Sequence, residues 1–262
     1  MPRMTPKRLR LLAAAIALAA LAPSWLVACA EGPDANAEAA VEAADANAEA
    51  IAAQELADRE LELALALEPN IENGLSIYRA CAQCHQPEAW GLPDGSYPQL
   101  AGQHKRVVIK QLADIRAGIR GNPEMLPWAS PEKIGGAQAV ADVAGYIDTL
   151  ELSIAGGKGP GDDLERGAQL YAATCARCHG PEGEGNGELY IPRIQSQQYA
   201  YLVRQFQAIR DGRRGNADPE MQTHVQGIAD EEARAILDYV SRLEPPEVFQ
   251  APPGWRNPDF LE

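Results

Sequence analysis

The sequence predicts an all-α protein in which one helical domain is built twice in tandem. Three observations carry that expectation. First, Gly74-x-x-x-Tyr78 is answered by Gly167-x-x-x-Tyr171, the loop Gln99-Leu100-Ala101-Gly102-Gln103 by Arg193-Ile194-Gln195-Ser196-Gln197, and Gln111-x-x-x-Ile115-Arg116-x-Gly118-x-Arg120-Gly121-Asn122 by Gln205-x-x-x-Ile209-Arg210-x-Gly212-x-Arg214-Gly215-Asn216. Second, apolar residues recur at i, i+3 and i+4 through three stretches of each copy. Third, Ala155-Gly156-Gly157-Lys158-Gly159-Pro160-Gly161 lies between the copies, and such a run cannot continue a helix.

Residues 1–28 read as a secretory signal. Arg3, Lys7, Arg8 and Arg10 precede the apolar run from Leu11 to Ala22, which is too short to span a bilayer comfortably. The leader closes on Leu26-Val27-Ala28-Cys29, which resembles the bacterial lipoprotein processing box, where the cysteine is lipidated and becomes the first residue of the mature protein. The alternative is an ordinary signal peptide with an incidental cysteine near its cleavage site. Residues 29–70 form an Ala- and Glu-rich acidic tether with almost no aromatics, unable to bury a core of its own, and either helical or disordered.

Copy one is assigned to residues 71–155 and copy two to 156–250, with a tail over 251–262. First helices are expected over 74–83 and 167–177, middle helices over 105–117 and 199–211, and terminal helices over 137–151 and 230–244. The last begins at Asp230-Glu231-Glu232 and is stopped by Pro245-Pro246. Gly74 and Gly167 read either as plain helix entries or as points where the first helix closely approaches Tyr146 or Tyr239 of the terminal one.

Aromatic residues make up 6% of the 262-residue chain, thin for two cores, so another apolar body must help to fill them. The formal charge of −14 excludes a nucleic-acid partner, which would need clustered Lys and Arg, and favours basic protein partners. That charge is unevenly spread, at +4 over residues 1–28, −10 over 29–68 and −8 over the rest.

Four of the five cysteines stand in two Cys-x-x-Cys-His motifs, Cys81-Ala82-Gln83-Cys84-His85 and Cys175-Ala176-Arg177-Cys178-His179. This is the attachment signature of c-type haem, with thioethers from both thiols and the histidine beneath the iron. A redox dithiol would need a βαβ context and a zinc site further ligands; neither is present in the pattern. Beyond the leader the chain holds two methionines, Met125 and Met221, each in a Pro-Glu-Met triplet, 40 and 42 residues past His85 and His179. Their matching positions mark them as second axial ligands, since His/Met ligation suits an electron carrier and raises its potential. His104 and His224 have no counterparts in the other copy and read as surface or haem-edge residues; ligation by either is the alternative.

From about residue 71 to 245 the chain resembles two tandem class I cytochrome c domains, most like the cytochrome c-four family of di-haem electron carriers. The resemblance implies small helical domains, each wrapped around one covalent haem, related by approximate twofold symmetry. It also implies that Pro98 and Pro192, each thirteen residues after its histidine, offer a backbone carbonyl to the imidazole Nδ1–H. The lipoprotein box and the long tether depart from that family's pattern and argue against free diffusion. The expected protein is therefore no enzyme but a lipid-anchored carrier on the periplasmic side of a membrane, moving electrons between respiratory-chain redox partners. Its rivals are a di-haem peroxidase or thiosulfate-oxidising enzyme, and a dedicated cytochrome subunit of a dehydrogenase or oxidase.

Overall fold

A computed structural model describes residues 35–261. The expected signal peptide and Cys29 lie outside the described residues. No helix among the described residues is long and apolar enough to cross a membrane.

The chain is helical, in keeping with its sequence pattern, and no strand forms among the described residues. The described part begins with α1 (Ala35–Leu65), whose residues up to Ala43 belong to a different compact unit from the rest. Copy one contributes α2 (Ile71–His85), α3 (Lys105–Arg116), the single turns α4 (Leu126–Ala129) and α5 (Pro131–Ile134), and α6 (Ala137–Asp148). Copy two contributes α7 (Leu164–Thr174), α8 (Ala176–His179), α9 (Tyr199–Arg210), α10 (Pro219–Gln226) and α11 (Asp230–Arg242). In each copy the first and terminal helices pack on one another, α2 on α6 and α7 on α11. Glycine permits that approach: a Cβ on Gly74 would overlap the Asp142 carbonyl and lie 2.9 Å from Tyr146 Cβ, and one on Gly167 would overlap the Ala235 carbonyl and lie 3.0 Å from Tyr239 Cβ. Above these contacts Tyr78 stacks at 5.3 Å on Tyr146, and Tyr171 at 5.7 Å on Tyr239. The two cores are separate, one around Tyr78, Val140 and Tyr146, the other around Tyr171, Phe206 and Val240.

Two segments behave differently from the sequence expectation. The last third of the tether is part of the structure: Ala57 and Ala64 are buried, Leu61 and Leu65 pack on the first core, and Glu60 forms an ion pair with the buried Arg116. These positions fall at helical spacing, so one alanine-rich stripe of α1 docks while its remaining faces stay in solvent. The C-terminal tail also returns to copy one. Ala251 N–H donates to the Leu152 carbonyl at 2.8 Å, Trp255 stacks at 5.7 Å on Trp90, and Phe260 meets Tyr78 edge-on at 6.2 Å. Asn257, 1% exposed, donates to the Pro87 carbonyl at 2.6 Å and to the Tyr146 hydroxyl at 3.0 Å, and that hydroxyl donates to Asp259 at 2.9 Å.

Candidate haem sites

Cys81, Cys84 and His85 occupy the last turn of α2, while Cys175 caps α7 and Cys178 and His179 lie on α8. Each turn is pinned by a tyrosine of the first helix: Tyr78 OH donates to the Gln86 carbonyl at 2.8 Å, and Tyr171 OH to the Gly180 carbonyl at 2.6 Å. Among the described residues these four thiols form no disulfide. Burial raises the pKa of Cys175 and pushes that of Cys81 up to about 11, so both rest as neutral thiols in an apolar setting.

Both histidines are buried, 5% exposed at His85 and 8% at His179, and burial lowers the pKa of each. Nδ1 of His85 lies 3.0 Å from the Pro98 carbonyl, and Nδ1 of His179 lies 3.1 Å from that of Pro192. A carbonyl oxygen can only accept, so Nδ1 carries the proton and Nε2 keeps a free lone pair. The two carbonyls sit on equivalent loops that turn back toward the helix. In copy one Leu100 and Ala101 N–H donate to the Ala89 carbonyl at 2.7 and 3.1 Å; in copy two Ile194 and Gln195 N–H donate to that of Gly183 at 2.8 and 3.1 Å.

Met125 is half-buried at the N-cap of α4, its N–H donating to the Asn122 side chain at 3.2 Å. Met221 is half-buried in the first turn of α10, where Asp218 caps the helix and accepts from Met221 N–H at 3.1 Å. Met221 also packs on the second core. His224 is exposed on α10. His104 is half-buried, and its Nε2 lies 2.8 Å from the Glu184 carbonyl, across the boundary between the copies. The sequence showed no partner for it because that partner is a backbone group 80 residues away.

The boundary between the copies carries most of the polar residues that sequence reasoning missed. Gln103 and Gln197 each grip backbone of the other copy, as detailed below. Arg120 donates to the Tyr201 hydroxyl at 2.9 Å, and Arg214 to Gln111 at 3.1 Å, both across the boundary. Desolvation and the neighbouring Arg120 charge pull the Arg214 pKa down to about 10. Asp114, whose charge acts on Arg214, is already shared between Lys110 and Asn216 at 2.7 Å each. The buried Nε atoms of Arg106 and Arg193 have no hydrogen-bond partner among the described residues. The repeated Arg-x-Gly-x-Arg-Gly-Asn pattern was the sequence signal for this cluster, because a charge kept at one place in both copies can face itself across a twofold boundary.

These residues fit a covalently held porphyrin. Each copy offers two thiols in the Cys-x-x-Cys spacing, a neutral imidazole with an open Nε2 and a methionine. Among the described residues, no three His, Cys, Asp or Glu side chains gather as an ordinary metal cluster.

Comparison with known proteins agrees with this construction. The family model described as Cytochrome c matches twice, over residues 71–151 and 164–244. A thiosulfate dehydrogenase electron acceptor from Stutzerimonas stutzeri is 31% identical over 72% of this chain and 94% of its own length. Cytochrome c4 of Azotobacter vinelandii is 32% identical over 62% of this chain and 84% of its own length. The crystal structure of reduced recombinant cytochrome c4 from Pseudomonas stutzeri superimposes with a TM-score of 0.61 at 25% identity, covering 68% of this chain and 100% of that one. With the family matched in both copies, the chain belongs to the cytochrome c family, as a tandem class I protein of the cytochrome c4 kind that holds two covalent c-type haems and transfers electrons.

Proposed function

We propose that this protein is a lipid-anchored relay on the periplasmic side of a membrane, carrying electrons from a donor enzyme to an acceptor of the respiratory chain. Cys81 and Cys84 would hold one haem and Cys175 and Cys178 the other, with His85 and Met125, and His179 and Met221, offering the ligand atoms to each iron. When bound, each haem supplies an iron that exchanges one electron. The chain does the rest. Pro98 and Pro192 fix the tautomer and orientation of the imidazoles through Nδ1–H and raise their basicity. With both thiols and both ligand side chains of a copy engaged, the site would change little between oxidation states, which would favour transfer over substrate binding. Cys29 carries the lipid, and the acidic tether of residues 29–70 joins it to the haem-bearing copies. The observation that carries this reading is the histidine–carbonyl bond repeated at the same spacing in both copies.

One relative favours a narrower role. The Stutzerimonas stutzeri relative is named as an electron acceptor of thiosulfate dehydrogenase, and on that analogy the donor here is a sulfur-compound dehydrogenase working with this chain as a dedicated cytochrome subunit. The test is a pair of assays on the purified oxidised protein. Thiosulfate alone should leave it oxidised and peroxide should not be turned over, whereas thiosulfate with a thiosulfate dehydrogenase should reduce it. Turnover by the protein alone would replace the carrier reading with an enzymatic one. Cys29→Ser should release the protein from the membrane fraction with its spectrum unchanged.

A further inference from the structure

The contacts between the copies include two that mirror one another. Gln197 of copy two places Oε1 3.0 Å from Gln99 N and Nε2 2.9 Å from the Gln99 carbonyl oxygen. Gln103 of copy one places Oε1 3.0 Å from Arg193 N and Nε2 2.9 Å from the Arg193 carbonyl oxygen. Each glutamine is held in place by its own chain as well, its Oε1 accepting the next residue's N–H at 3.1 Å from both His104 and Gln198. The amides are therefore fixed on three sides, and each grips one residue of the opposite copy.

The gripped residue is significant because of its peptide group. Gln99 N–H belongs to the same peptide as the Pro98 carbonyl, and Arg193 N–H to the same peptide as that of Pro192. Those carbonyls receive the Nδ1–H of His85 and His179. A peptide whose N–H is engaged becomes a better acceptor at its oxygen, because hydrogen bonds in series polarise one another by about 10–30% per bond. A stronger acceptor gives the imidazole more anionic character, which stabilises the oxidised metal. We infer that Gln197 tunes the haem of copy one and Gln103 the haem of copy two: they are crossed positioning residues through which each domain sets the ligand strength of the other. The inference rests on the assignment of His85 and His179 as axial ligands. The two arms are unequal. Gln197 and Gln99 are buried, at 8% and 5% exposure, whereas Gln103 is only half-buried, so water dilutes its effect.

The test uses the reduced, full-length di-haem protein with 15N-labelled histidine, whose NMR spectrum resolves each Nδ1–H. In the unaltered protein two histidines should show the large ring-current shifts of haem ligands; their absence would sink the ligand assignment itself, independently of the coupling. In Gln197→Leu the Nδ1–H of His85 should move upfield while that of His179 holds, and electron partition between the haems should shift two- to tenfold toward copy one, at most about 59 mV. Gln103→Leu should give the crossed pattern with a smaller shift. Gln197→Glu retains the acceptor oxygen and should keep the His85 proton downfield. Unmoved protons in both leucine variants, a shift of the histidine in the mutated copy, or equal shifts of both histidines as the domains part, would each overturn the proposal.

Discussion

The two copies share a design but not a wrapping. In copy one, Arg116 donates to the Ala129 carbonyl at 2.5 Å and to that of Gly135 at 2.8 Å, so it clasps the segment just after Met125, and Glu60 of α1 neutralises it out of water. Its counterpart Arg210 pairs instead with Asp230, whose side chain is 65% exposed. Tyr146 is bonded to the tail through Asn257 and Asp259, whereas Tyr239 is half-exposed. The lesson is that duplication fixes the haem-binding frame, while the sequence outside the repeats decides how firmly each frame is held. The contrast makes copy one the more protected site and copy two the more readily strained one.

The comparison can be broken at several points. Met125→His and Met221→His should cause the largest change, each lowering the potential of one haem by a sizeable part of the roughly 0.8 V range that axial ligands span. Redox titration with the iron–sulfur absorption band as readout checks this, since the band should halve in each variant. Glu60→Ala should come next. It strands a buried guanidinium, costing about 3–5 kcal/mol, and the loss should appear in denaturant unfolding of copy one. The matching change in copy two, Asp230→Ala, removes an exposed pair and should cost under about 1 kcal/mol. Equal losses would erase the asymmetry argued from burial.

Gly74→Ala and Gly167→Ala probe what the copies have in common. Each puts a methyl into a backbone carbonyl, so both should destabilise by a similar ~1–3 kcal/mol in thermal unfolding. Asn257→Ala should be felt in copy one alone, by ~1–3 kcal/mol, because it leaves the Pro87 carbonyl without its partner and the Tyr146 hydroxyl one short. Copy two, which the tail does not cap through its tyrosine, should melt as before.

Much of the architecture was legible because its signals are local or repeated. The haem-attachment residues lie within five positions of each other, and the second copy repeats the first. What escaped depends on contacts distant in sequence. The docked stripe of α1 combines two alanines, two leucines and one glutamate within an Ala- and Glu-rich run, a composition that reads as solvated until Arg116 supplies the buried charge Glu60 answers. The tail carried a fairer clue, since Trp255 and Phe260 are costly to leave in water in a chain so poor in aromatics. Gln103 and Gln197 were visible as a repeated residue, yet their effect depends on a twofold arrangement that places each against the other's loop.

The most direct test of the account is peptide mapping by mass spectrometry on the exported, full-length protein. It predicts two haems per chain, one on the peptide holding Cys81 and Cys84 and one on that holding Cys175 and Cys178. A single haem, or either cysteine pair recovered unmodified from protein matured by cells that attach haem, would contradict it.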